Sequence, residues 1–390
     1  MKKLAMVGMC LVSAVAAAQP KKAEPAVDYA ALAEKVVGKT GNVKEGEIVE
    51  IVFGPNDVAF AEELVVAVRK RGAFPLLSFW SESLQRKVIA AVPEKYDTQA
   101  PALDLAITKV VNARIVIPPV RDPSINDALP AARRALRAKQ DAPVADLALK
   151  RNVRLIELGN GFAPSPSRAK ELGVTEAELA KLYWDGLSAD YAAVEEKAKA
   201  LKALLAKGGE LQIKHANGTD LKVKIKGRKV FVSDGVISDE DKKAGAQNVS
   251  VWLPAGEVFL APVPGSAEGK IVDDRFLFEG KEVLGLTVEV KAGKIANVTA
   301  KSGWDAVKGR YDAAGPGKAE VGVIDIGINP AIKSTAKLES WVSAGTITVG
   351  TGGNVWAGGT NKEPMNLNFF LPGTTVMLDG KPLIENGVLK

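Results

Sequence analysis

Four short apolar runs, at residues 47–53, 76–80, 113–118 and 153–158, alternate with stretches of helical spacing through the first half of the chain. Such runs are too short for helices and carry no polar face, so they read as strands buried on both sides. Strands of that kind, separated by helices, specify a parallel sheet covered on both faces. The spacing predicts a helix from Tyr29 and another after Gly54-Pro55, with Asn56 as its cap and Ala61, Leu64, Val65 and Val68 on one face. No G-x-G-x-x-G follows the first strand, so nothing points to a dinucleotide.

The pattern then changes. After Pro164-Ser165-Pro166-Ser167, a helix near residue 188 lines up Val194, Ala198, Leu201 and Leu205 and stops at Gly208-Gly209. Beyond it, Leu211 and Ile213, the turn dipeptide Asn217-Gly218, and Leu221, Val223 and Ile225 alternate with period two, as a hairpin does. Further strands fit residues 249–253, 275–278, 284–290 and 294–300, and the acidic pair Asp273-Asp274 reads as a turn entering one of them. The fold expectation is therefore an α/β domain at 28–187, a connecting helix at 188–209 and a mainly β domain at 210–390.

The first eighteen residues have the form of a secretory signal peptide. Two lysines precede an apolar stretch, and Ala16-Ala17-Ala18 offers a small-residue cleavage site. A tether at 19–27 follows, and the expected location is periplasmic or secreted. The only cysteine, Cys10, lies inside the signal, so a mature chain has neither disulfides nor thiolate ligands. No other segment has the roughly 20 apolar residues that span a bilayer. The formal charge of +6 falls by two without Lys2 and Lys3. The densest basic group, Arg133, Arg134, Arg137 and Lys139, reads as a solvated helix face, and no nucleic-acid partner is expected.

Histidine restricts the chemistry further. His215 is the only one in the chain, and its place beside Asn217-Gly218 marks it as an exposed hairpin residue. Multi-histidine zinc sites are thereby excluded, as are Cys-His sites in a mature chain without cysteine. Catalysis would rest on carboxylates, lysine or hydroxyls.

Four blocks of the second half, in order, carry a resemblance. They are Gly218-Thr219-Asp220-Leu221 with Gly227-Arg228, the run from Leu253 to Phe259, Glu320 ahead of Gly327-Ile328-Asn329-Pro330, and the glycine-dense C-terminal segment. Together they resemble the thermophilic aminopeptidase family of metallopeptidases. The resemblance implies a two-metal site made of two glutamates, two histidines, an aspartate and a nearby tyrosine. In such a site the ions activate water and polarise the scissile carbonyl.

Carried onto this sequence, the two glutamate positions are Glu257 and Glu320. The other positions depart. Thr348 stands at the first histidine position, Asn366 and Asn368 stand at the histidine–aspartate pair, and Trp356 is the aromatic residue of the tyrosine neighbourhood. Trp356 and Phe369 are candidates to line a pocket. Threonine and asparagine oxygens are poor zinc or cobalt ligands, although with glutamate they suit weak calcium or magnesium binding. No cofactor is therefore expected, against the zinc or cobalt that the family implies.

Three functions stay open on this reading. One is a non-catalytic or weakly active binder of peptide amino termini, with Glu257 and Glu320 facing the ammonium group. Another is a metal-dependent aminopeptidase with an altered ligand set, and the third is an envelope scaffold. A homodimer is expected by resemblance alone.

Overall fold

The computed structural model describes residues 27–122, 125, 129–333 and 340–390. The expected signal peptide and nearly all of the tether lie outside the described residues. So do the side chains of Arg134 and Lys139.

The chain opens with helix α1 (Tyr29–Glu34), strand β1 (Ile48–Phe53), α2 (Val58–Lys70), β2 (Phe74–Phe79), α3 (Glu82–Ala91), α4 (Ala102–Val110), β3 (Ala113–Val116), α5 (Ala131–Lys150) and β4 (Arg154–Leu158). Helices α6 (Pro166–Leu172), α7 (Glu176–Ser188) and α8 (Tyr191–Lys207) lead into the second half. There follow β5 (Glu210–Lys214), β6 (Asp220–Lys224), β7 (Phe231–Ser233), β8 (Ser250–Leu253), β9 (Glu257–Leu260), β10 (Glu268–Phe278), β11 (Lys281–Lys291) and β12 (Lys294–Thr299). The chain ends with β13 (Val321–Gly327), β14 (Ile347–Thr351), β15 (Asn368–Leu371), β16 (Thr375–Leu378), β17 (Lys381–Glu385) and β18 (Val388–Leu389).

The first sheet has the order β2-β1-β3-β4-β8 and is parallel throughout. Its core residues Val49, Ile51, Ala113, Ile115, Ile156 and Leu158 are fully buried, as the apolar runs predict. The fifth strand comes from residues 250–253, so the chain returns from the mainly β half to complete the α/β sheet. This crossing brings the carboxyl end of β4 against the start of β9, where Glu257 sits.

The second half builds two antiparallel sheets, β12-β11-β10-β6-β5-β16-β17-β18 and β15-β14-β13-β9-β7. They pack face to face, with Phe276 of β10 stacked on Phe369 of β15 at 5.3 Å between ring centroids.

Three local expectations are corrected. Asn56 does not cap α2, because a 3-10 turn at Pro55–Asp57 intervenes and Asp57 turns its carboxylate to Arg121 at 2.5 Å. Arg133 and Arg137 are not a free solvated face. Both guanidiniums converge on the buried carboxylate of Asp97, which ties α5 to the 3-10 turn Glu94–Thr98. Asp273 and Asp274 lie within β10 rather than in a turn before it.

Candidate functional site

Glu257 is placed by backbone geometry before any side chain acts. β8 ends at Leu253-Pro254, and the chain reverses through Ala255-Gly256. Gly256 has φ +134°, and a Cβ there would lie 2.8 Å from the Asn329 nitrogen. Ile328 N–H donates to the Gly256 carbonyl at 2.8 Å, and Asn329 Nδ2 donates to the Ala255 carbonyl at 2.6 Å. The Gly-Ile-Asn-Pro block thus serves as a clamp on the Glu257 turn. From the end of β4, Asn160 Nδ2 donates to the Pro254 carbonyl at 2.8 Å and to Glu257 Oε1 at 2.9 Å.

The register then decides which side chains share a face. Glu257 lies opposite Gly327 on β13, so Asp325, two residues earlier, is its diagonal neighbour on the same face. Thr348 lies opposite Asp325, and Asn368 lies opposite Gly350, two residues beyond Thr348. Glu257, Asp325, Thr348 and Asn368 therefore form a diagonal across four adjacent strands. Ser233, opposite Glu257, extends it.

Much of this polar face has no partner. Both carboxyl oxygens of Asp325 and the hydroxyls of Ser233, Thr346 and Thr348 are buried and take no hydrogen bond among the described residues. Burial pushes the Glu257 carboxyl up to about 7, opposed by the Asn160 amide. Asp325 is driven well above the usual carboxylate range, first by burial and then by the charge of Glu257. With no donor to stabilise an anion, burial and the charge of Glu257 both disfavour ionisation of Asp325.

An aromatic layer covers the diagonal. Phe259 flanks Asp325 on β9, and Phe370 flanks Thr348 on β15. Phe259 meets Trp356 at 5.0 Å, Trp356 meets Trp341 at 6.1 Å, and Trp341 meets Phe370 at 5.3 Å. Three strand spacings separate the two phenylalanines, about 14 Å, and the two tryptophans bridge that gap above Asp325 and Thr348. Phe231 stacks on the outer face of Phe259 at 5.6 Å.

The structure brings Glu257, Thr348 and Asn368 to one face but leaves three other expected residues elsewhere. Glu320 precedes β13, seven residues from Gly327, which is on the order of 20 Å along the strand. Its half-exposed carboxylate pairs with Lys294 at 3.4 Å. Glu257 and Glu320 therefore do not face one ammonium group. Asn366 is exposed and borders a separate cavity with Glu363 and Arg310. Phe369 points away from the site, fully buried in the main core, so it lines no pocket.

Asp325 lies at odd spacing from Glu320, which puts the two on opposite faces of an extended chain. The partner of Asp325 is Glu257, across strands rather than along one. Period two from Asn368 would have found Phe370, the aromatic residue that does take the site side.

These residues do not fit the two-metal centre that the resemblance implies. Among the described residues no three of His, Cys, Asp and Glu are grouped to hold an ion. The diagonal offers two carboxyls, one of them engaged by an amide, with a hydroxyl, an amide and no imidazole, a weak donor set for zinc or cobalt.

The comparisons agree with the fold. The family of thermophilic metalloproteases (M29) matches residues 27–313, a span that includes Glu257 and ends before Glu320, Asp325, Thr348 and Asn368. The chain is similar to the solved structure of wild-type AmpT from Thermus thermophilus, at 21% identity and a TM-score of 0.71, over 93% of this chain and 98% of that one. It is also similar to 2,5-dihydroxypyridine dioxygenase from Pseudomonas putida KT2440, at 14% identity and a TM-score of 0.59, over 93% and 96%. No curated protein matches the sequence. The profile match over most of the chain, joined to the ordered blocks and the shared fold, shows that this chain belongs to the thermophilic metalloprotease family.

Proposed function

We propose that this chain is an exported, non-hydrolytic member of its family that binds peptides by their amino ends. One observation carries the first half of this reading. At two positions where the resemblance implies metal ligands, the fold presents an unpartnered Thr348 hydroxyl and the Asn368 amide, beside a buried Asp325 without a donor and beneath an aromatic layer. Activation of water by a metal needs anionic and imidazole donors open to solvent. A wall of phenylalanine and tryptophan over a threonine and an asparagine supplies neither.

Export is supported by the basic start, apolar stretch and small-residue cleavage site of residues 1–18. Amino-terminal sequencing of the mature protein checks it, and a start at Met1 would sink that part. The proposal also includes a homodimer, which light scattering on the purified protein checks.

The central test is metal content by mass spectrometry on protein purified without chelator or affinity tag, alongside leucyl-anilide hydrolysis with added zinc or cobalt. Substoichiometric metal and no turnover are expected. Two transition metals per chain, with turnover abolished by a chelator, would overturn the reading. Thermal shift with free and N-acetylated peptides tests the binding half.

A further inference from the structure

We propose that a cavity of about 590 Å³, lined by the Asn217–Gly218 hairpin, β10 and the segment after β15, binds the free amino terminus of a short peptide, with Asp273 as its counter-ion. This rests on the binding reading above and assigns the ligand to a place other than the diagonal of Glu257 and Asp325.

The cavity owes its rigidity to the hairpin tip. β6 pairs with β10 only from Glu268 to Lys270. Beyond that point side chains replace the ladder: Thr219 Oγ1 accepts from Val272 N–H at 2.9 Å, and Asn217 Nδ2 donates to the Val272 carbonyl at 2.7 Å. The strand is thereby fixed while its next residue, Asp273, is left without a cross-strand neighbour on that side.

Asp273 is only 8% exposed. One of its oxygens accepts from Arg275 N–H at 3.0 Å, and the other takes no hydrogen bond among the described residues. Arg275 does not neutralise it by contact, since that guanidinium is engaged by Glu282 at 2.6 Å and by the Glu171 carbonyl at 3.1 Å. Asp274 adds a second negative charge next to it in sequence. Burial pushes Asp273 up to about 6, and Asp274 pushes in the same direction. A desolvated carboxylate with a free oxygen in a cavity is a site for a cation.

The remaining lining selects the kind of cation. No three potential metal ligands are grouped among the described residues, which disfavours a metal ion. Pro330 and the half-buried Phe370 give apolar walls for a side chain. His215 accepts from Asn217 N–H through Nδ1 at 3.2 Å, which leaves Nε2 as a donor for a peptide carbonyl. Lys333 stands exposed at the rim, where it suits a carboxylate. An ammonium group on an apolar body with a carbonyl behind it describes the amino end of a peptide.

The test is isothermal titration at pH 7.5 of leucyl-leucine and N-acetyl-leucyl-leucine into the full mature chain and its Asp273→Asn variant. The wild type is expected to bind the free dipeptide at least about tenfold more tightly than the acetylated one, and Asp273→Asn is expected to erase the preference. Asparagine keeps the shape and removes a buried charge, so a melting curve at or above that of the wild type confirms an intact fold. Equal affinity for the two peptides overturns the proposal, as does a preference that survives Asp273→Asn. If Glu257→Gln erases the preference while Asp273→Asn keeps it, the cavity assignment falls and the binding reading stands. Metal-dependent turnover of the dipeptide would overturn the reading beneath both.

Discussion

Replacing Asp325 by asparagine should stabilise this protein, by an amount that grows with pH. In the unfolded chain Asp325 ionises with an ordinary pKa of about 3.9. In the fold both its oxygens are buried without partners, and burial together with Glu257 raises its pKa well above that value. The sign follows from proton uptake. The stability tied to this group is fully present below the unfolded pKa and is lost as pH rises toward the folded one. Each pH unit over which folding must return the proton costs about 1.4 kcal/mol. Between pH 5 and pH 7 the advantage of Asp325→Asn should therefore grow with pH, at a slope no steeper than that. It should shrink to the difference between two buried polar groups, about 1 kcal/mol or less, near pH 4. Urea unfolding followed by far-UV circular dichroism at pH 5, 6 and 7 measures the difference directly, provided the two proteins show the same m-value. A difference that does not grow with pH, or an asparagine variant less stable at pH 7, would refute the neutral-acid reasoning.

Other expectations rest on the same face and on the cavity beside it. Thr348→Val removes a buried hydroxyl with no partner and should raise stability by about 1 kcal/mol in denaturant unfolding. Trp341→Ala removes the ring between Trp356 and Phe370. It should cost about 3 kcal/mol and leave the remaining tryptophans more open to acrylamide quenching. Peptide affinity at the cavity should fall about tenfold per pH unit below about 6, where Asp273 takes up a proton. The charged and titratable groups facing it there are Asp274, Arg275, His215 and Lys333; titration calorimetry at pH 5 and pH 7 makes the comparison.

Periodicity made the strands legible because burial imposes it. The run at residues 47–53 became β1 and the alternation through Leu221 and Val223 became β6, each with the expected side inward. What the chain does not declare locally is pairing. Nothing near Ser250 says that β8 will join the parallel sheet beside β4, yet that pairing sets Asn160 against Glu257. The site was half legible for the same reason. Glu257, Thr348 and Asn368 were found through motif positions and do share a face. Glu320 was carried over from a generic neighbourhood, and its distance from Glu257 follows from a register that only the folded sheet reveals. The place of Asp325 beside Glu257 is set by the pairing of β9 with β13, and spacing along one strand says nothing about the strand beside it. The aromatic layer was invisible because Phe259, Trp341, Trp356 and Phe370 come from four separate segments.

That layer and the neutral donors belong to one electrostatic change. Carboxylates in a metal site stay ionised because the ion supplies the opposing charge. Two acids side by side under aromatic rings with no such ion disfavour a second charge, and burial with Glu257 pushes Asp325 toward its protonated form. Restoring a single ligand should consequently fail to restore the centre. Asn368→Asp places a third carboxyl on the diagonal, near Thr348 and Asp325, with no histidine to share an ion. The expected result is a melting temperature below that of the wild type at pH 8, recovering as the pH falls, and unmoved by micromolar zinc. A zinc-dependent rise in melting temperature for this one substitution would mean that Glu257 and Asp325 release their protons to a metal and that the aromatic layer opens to admit it. The fold itself permits either state. Its backbone is shared with AmpT and with a dioxygenase at 14% identity, and a shared fold does not fix the chemistry.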